Sequence, residues 1–288
     1  MICKYCGSSK VVKNGKVKGK QQYLCKTCKH QFIDGSNFPK MRTKSKIISI
    51  SLDWYFEGFS VRKIQNQIAK VFEVSVSQVT IWKWITKYSN LVKNYVMTLK
   101  PQLSGFWHED ETVIPCEGQN IWFWEMIDED TKFLVASHVS ETRTLEDTIA
   151  IFKKALQQSK VRPKAVFVDG SHVYHRAFNK VFYTLKKATR PELVQRVGVR
   201  TRETNNMVER LHGTLKDRTK PMRGFKDFDS TKAILEGYTV HYNFVRLHQS
   251  LKGKTPAQAS GLEIKNDWHI LVKNATKKMT EKEMMVIA

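Results

Sequence analysis

The sequence predicts an α/β protein: a central mixed sheet flanked by helices, preceded by a cysteine-rich module and a small helical one. Three observations lead there. Beyond residue 100, strand-like apolar runs come first and strand and helix patterns then alternate, the order of an α/β domain. Residues 43–92 carry three amphipathic helical patterns, and four of the five cysteines fall within the first 28 residues. At 288 residues the chain can hold one sizeable core plus small modules, with boundaries predicted at 1–40, 41–99, 100–262 and a tail, 263–288.

In the first module, Cys3-x2-Cys6 and Cys25-x2-Cys28 are separated by eighteen residues. Two such knuckles supply four thiolates for a tetrahedral Zn²⁺, so Cys3, Cys6, Cys25 and Cys28 are predicted to form a zinc ribbon. A lysine-rich piece of forty residues cannot bury enough surface alone, so the metal would supply its folding energy. Residues 11–22 read as a hairpin with Asn14-Gly15 as its turn. His30 is superfluous beside four sulfurs, and Cys116 reads as a small buried apolar residue. Met1-Ile2-Cys3-Lys4 does not open a signal peptide, and no segment nears the roughly 18 apolar residues of a membrane span. A cytoplasmic, reducing setting is therefore expected, in which cysteines are thiols or metal ligands.

In the second module, helices are expected near 45–57 (ending at Gly58), from the N-cap Ser60 with Ile64 and Ile68 on one face, and from Ser77 through Tyr88. The short break at 72–75 fits a helix-turn-helix whose third helix enters the major groove. Ile81, Trp84, Ile85 and Tyr88 would then be core, leaving Gln78, Thr80, Lys83 and Lys87 to face DNA. A small helical bundle acting as a linker or dimer contact is the alternative.

Lys100-Pro101 breaks the helical run and opens the third region. Strands are expected around Asp110, near 120–127 and near 132–139, then a helix near 144–158. The apolar run Ala165-Val-Phe-Val168 ends in Asp169, as a buried strand does when it delivers an acid to a sheet edge. Helices near 172–179, 204–216 and 230–242 follow. Asp128 and Asp130 lie in the expected hairpin turn, where Asp serves the backbone, and are rejected as ligands.

Charge is the strongest compositional cue. The net charge is +22 and the pI about 9.8, while 41% hydrophobic residues exclude a disordered basic arm. Residues 1–50 hold twelve Lys/Arg against one acid, Asp34, whereas residues 105–130 hold eight Asp/Glu and no Lys/Arg. A basic body around a local acidic pocket suits a polyanion held at a metal-binding centre. Glu209 stands inside a segment, 186–226, with twelve Lys/Arg and four acids; it is either an ion-pair partner or a metal ligand acting on a phosphate polymer. Asn206, Arg210 and Lys216 fall at helical spacing around it, and with Arg218 and Arg223 they read as phosphate contacts or as a solvated basic face.

Asp110, Asp169 and Glu209, with 58 and 39 residues between them, resemble the D, D, E triad of the insertion-sequence transposases. Further motifs carry the resemblance: Trp107-x-x-Asp110-Glu111-Thr112, Asp169-Gly170 followed by Tyr174 and Ala177, Met222-Arg223-Gly224-Phe225, His241 to Leu251, and Thr255-Pro256-Ala257. It covers roughly residues 105–262. Two departures are Glu109, where relatives carry an apolar residue, and Leu247 in place of proline. The resemblance implies an RNase H-like sheet, two Mg²⁺ (or Mn²⁺) ions held by Asp110, Asp169 and Glu209, cleavage at element ends, and joining of 3′-hydroxyls to target DNA. It also implies a homodimer or larger assembly acting on double-stranded DNA at a prokaryotic nucleoid. The rivals are a sequence-specific DNA-binding protein without strand transfer and a structure-specific nuclease of the same fold. No G-x-x-x-x-G-K-[ST] loop is present, in keeping with a reaction that conserves phosphodiester energy.

Overall fold

A computed structural model describes residues 1–17, 20–33, 38–39, 41–159, 161–195, 206–222 and 224–287. The chain divides into two units, Met1–Val96 with Asp267–Ala288, and Met97–Asn266.

The first unit opens with an antiparallel sheet of β1 (Val11–Val17), β2 (Lys20–Cys25) and β3 (Gln31–Ile33), in that order. Asn14-Gly15 is not the hairpin turn. Lys13 pairs with Tyr23 and Lys16 with Gln21, so two residues of β1 face one of β2, a bulge with Gly15 at φ +72°. Only glycine adopts that backbone cheaply, which is why the pair imitates a turn in sequence.

Helices α1 (Ser45–Phe56), α2 (Val61–Phe72) and α3 (Gln78–Val96) follow. Ser60 caps α2 by accepting from the Lys63 N–H, and Ile64 and Ile68, one turn apart, are fully buried. Glu73, at φ +53°, ends α2, and the Ser77 hydroxyl accepts the Thr80 N–H to open α3. Residues beyond 262, which carry no motif, form α9 (Trp268–Ile287), packed on α1 and α3. Trp268 stacks on Phe56 with ring centroids 5.4 Å apart, and Leu271, Val272 and Ala275 are buried beside it.

The second unit holds a five-stranded sheet in the order β6-β5-β4-β7-β8. Here β4 is Phe106–Cys116, β5 Gln119–Asp128, β6 Leu134–Ser140, β7 Ala165–Val168 and β8 Glu192–Gln195. The first three pair antiparallel, while β7 runs parallel to β4 and β8 to β7, so the sheet is mixed as expected. Helices α4 (Leu145–Ser159) and α5 (His172–Phe182) bury Ile151, Phe152, Phe178 and Phe182 against Trp107, Trp124 and Met126. Helix α6 (Asn206–Thr219) packs on β4, and α7 (Phe228–Phe244) packs on β6 and on the short α8 (Pro256–Ala259). Asn243 of α7 accepts the Leu134 N–H at 2.8 Å and donates to its carbonyl at 2.9 Å, satisfying the edge strand. No described helix is long and apolar enough to cross a membrane.

Candidate active site and metal centres

Alternation along β4 sorts its side chains onto two faces. Trp107, Glu109 and Glu111 turn toward α4 and α5, where Tyr174 donates a short hydrogen bond to Glu111. Asp110 turns the other way, toward α6, where His212 meets it.

Phe106, Trp107 and His108 pair in parallel with Ala165, Val166 and Phe167; the same register continued past the ends of the ladder brings Asp110 beside Asp169. Burial chiefly, aided by the charges of Glu111 and Asp169, pushes the Asp110 pKa up to about 6, against the opposing pull of His212 and the Glu111 N–H. Asp169 is held by the Ser171 N–H at 2.8 Å and by Arg143 at 3.5 Å. A half-buried carboxylate beside another, with its pKa raised, is short of a cation. A divalent ion fits that deficit.

Glu209 lies in the first turn of α6 and is exposed. Among the described residues, the four N-terminal cysteines are the one group of three or more His, Cys, Asp or Glu side chains close enough to share an ion. The structure thus gathers two of the three acids and leaves Glu209 one helical turn from His212. His212 is 7% exposed; its Nδ1 lies 3.9 Å from Asp110 Oδ2 and its Nε2 lies 3.2 Å from Glu125 Oε2.

Four further side chains complete the surroundings: Tyr174, which the sequence offers only as part of the Asp169-Gly170 motif, and Arg143, Glu125 and His212, for which it suggests no site role. Arg143 pairs with the buried Glu111 as well as with Asp169, and its guanidinium sits 5.1 Å over the Trp122 ring. Glu109 is fully buried, and neither carboxylate oxygen has a hydrogen-bond partner among the described residues. Burial first, then the charges of Glu111, Asp110 and Asp169, hold its pKa well above the usual carboxylate range.

The cysteine sulfurs all lie within 4.8 Å of one another, with Cys3–Cys28 and Cys6–Cys25 each at 3.6 Å. A tetrahedron with Zn–S arms of about 2.3 Å has edges of about 3.8 Å, so the cage is compatible with zinc. Burial raises the Cys25 thiol, but the backbone N–H groups of Cys28 and Thr27 outweigh it and bring the pKa down to about 6. Burial and the neighbouring sulfurs push Cys28 upward. Four thiols this close cannot all ionise without a cation among them.

Of the residues expected to meet DNA, Gln78, Lys83, Lys87, Arg210 and Lys216 are exposed and Thr80 is half-buried. The Gln78 amide donates to Gln65 and the Thr80 hydroxyl meets Ser77, contacts inside the helical module. Arg218 is 5% exposed, because it follows Val208, Leu211 and Leu215 on the buried stripe of α6. The Asn206 side chain and Arg223 lie outside the described residues.

An α/β unit with a mixed sheet and two neighbouring aspartates, Asp110 within β4 and Asp169 just past the end of the parallel β7, defines the class. A family model described as a DDE domain matches residues 104–248, half of the chain, and the protein belongs to that DDE-domain family. It is 24% identical over 222 residues to the uncharacterized protein MJ0017 of Methanocaldococcus jannaschii, covering 76% of this chain and 95% of that protein. The HTLV-2 integrase catalytic core domain in complex with magnesium is 18% identical, with a TM-score of 0.39, over 56% of this chain and 98% of that one. A chain of the simian T-cell lymphotropic virus intasome, solved with PP2A regulatory subunit B56 gamma, is 16% identical with a TM-score of 0.40. The match covers 56% of this chain but only 55% of that one.

Proposed function

We propose that this protein is a DNA transposase that binds the ends of its own mobile element, cleaves a strand there and joins the 3′-hydroxyl to target DNA. The observation that carries the reading is the neighbouring pair of Asp110, within β4, and Asp169, just past the end of the parallel β7, in a chain of net charge +22 that belongs to the DDE family. Asp110, Asp169 and Glu209 would hold Mg²⁺ or Mn²⁺. When bound, such ions activate the attacking hydroxyl and neutralise charge on the phosphate under attack. Arg143 orients Asp169, and Arg210 and Lys216 on α6 hold the DNA backbone beside the acids.

The four-cysteine cage would carry one Zn²⁺ and fold a ribbon over residues 1–40. Residues 41–99 would form the end-binding helix-turn-helix, with Lys83 and Lys87 on the exposed side of α3. Residues 100–262 would form the catalytic domain, and the protein would act as a homodimer or larger assembly, since two ends must be brought together. The test is a labelled element end incubated with Mg²⁺ and target duplex. Nicked and joined products support the reading. Nicking without joining makes the protein a nuclease; binding without either makes it a DNA-binding protein.

A further inference from the structure

We propose that His212 is a positioning residue that fixes where α6 docks on the sheet, and thereby where Glu209 stands relative to Asp110 and Asp169. The inference rests on the metal-ligand reading above and adds a residue to it. Asp110 and Glu125 face each other directly across the β4–β5 ladder. One imidazole, on the helix that carries Glu209, reaches both: 3.9 Å to Asp110 and 3.2 Å to Glu125. Glu209 and His212 are three residues apart, so they share one side of α6.

Glu125 gives the arrangement its force. It is fully buried in the middle of a central strand, and the reaction proposed above has no use for it. A buried carboxylate is costly unless paired, and His212 Nε2, 3.2 Å from Oε2, is its ion-pair partner, at contact distance without hydrogen-bond alignment. Near Glu209 the other buried residues of α6 are apolar, Val208, Leu211 and Leu215, while Arg218 and Thr219 are buried at its far end. Apolar burial is non-directional and tolerates sliding, whereas a polar contact at both ends of one ring does not. Slippage by one residue moves a helix by about 1.5 Å, more than a cation with ligand distances of about 2.1 Å accepts. His212 thus sets the axial position of α6, and Glu125 holds His212.

The experiment measures Mn²⁺ affinity of the zinc-loaded full chain, from the paramagnetic resonance of the free ion, alongside the Mg²⁺ dependence of cleavage on a labelled duplex. His212→Leu keeps bulk and apolar packing but loses both polar contacts. His212→Gln keeps a donor near the Nε2 position, whereas His212→Asn is one methylene too short to reach Glu125. The Leu and Asn substitutions should lower Mn²⁺ affinity about 10- to 100-fold and raise the Mg²⁺ requirement, with DNA binding retained. The Gln substitution should recover most of that loss. A pure packing role would give the reverse order, with Leu tolerated best. Wild-type Mn²⁺ affinity in His212→Leu overturns the proposal; should that variant not fold, equal affinities in the Asn and Gln variants overturn it. Asp110→Asn separates the two levels: if it too binds Mn²⁺ like wild type, the metal-ligand reading itself has failed.

Discussion

Asp128 ties the end of β5 to Ser104, just before β4: its Oδ1 accepts the Ser104 N–H at 3.0 Å and the Ser104 hydroxyl at 2.9 Å. The same oxygen accepts the Gly105 N–H, and Oδ2 accepts from the Thr131 N–H and hydroxyl. Asp128 is fully buried, so this carboxylate is structural and fixes the start of the strand that carries Asp110. Asp128→Ala should cost on the order of 3 kcal/mol, since it strands several buried donors at once. Asp130→Ala, at an exposed position two residues on, should stay within about 0.5 kcal/mol. Urea midpoints of the two variants make the comparison, and equal midpoints would refute the structural role.

The cysteine cage predicts about one Zn²⁺ per chain. Cys25→Ser should release it and unfold the ribbon while leaving the catalytic unit folded, because the metal supplies the ribbon's folding energy. Zinc competes with protons for these thiolates; Cys3 and Cys28, held upward, take protons first and Cys25, at about 6, later, so affinity should fall steadily as pH drops and more steeply below about 6. Elemental analysis of protein purified without chelator is the check, and absence of zinc defeats the prediction.

Much of this was legible in the sequence where local periodicity or spacing carried it. Ile64 and Ile68 marked α2, Ser60 its cap, and the run into Asp169 marked β7. Strand β8 was not legible: in a basic stretch, half-buried Leu193 and Val194 lie side by side between exposed Glu192 and Gln195 and show no alternation. Two other misses had signals that could have been read. Trp268, Leu271, Val272 and Ala275 follow the i, i+3, i+4, i+7 pattern of a buried helix face, and α9 is that helix. Val208, Leu211, Leu215 and Arg218 continue one stripe of α6, which buries the arginine taken for a phosphate contact. Arg143 and Glu125 join the site only through pairing and packing across distant segments, which no local pattern encodes, whereas Tyr174 was marked by the motif that follows Asp169.

DNA binding should be steeply salt-dependent, with a log–log slope near −0.9 per phosphate contacted. Lys83→Ala, on the exposed side of α3, should reduce discrimination between element ends and random duplex. Arg210→Ala should weaken both alike, as a backbone contact does. Arg218→Ala should instead lower stability, since the side chain is buried. An unchanged specificity ratio in Lys83→Ala would move the reading surface elsewhere.

Asp110→Asn, Asp169→Asn and Glu209→Gln should each reduce strand cleavage and joining about 10²-fold or more while sparing the binding of element ends. Each swap keeps size and shape but removes the charge that holds a hard cation, so the loss falls on the transition state and not on DNA affinity. Glu109→Gln is the matched control. Burial and three neighbouring acids hold Glu109 toward its protonated form, which an amide closely copies. It also lies on the face of β4 opposite Asp110, so activity should remain near wild type and the fold should not weaken. The measurement is nicked and joined product from a labelled end with Mg²⁺. Substantial cleavage by Glu209→Gln would show that the exposed acid of α6 is not the third ligand, even with the two aspartates intact.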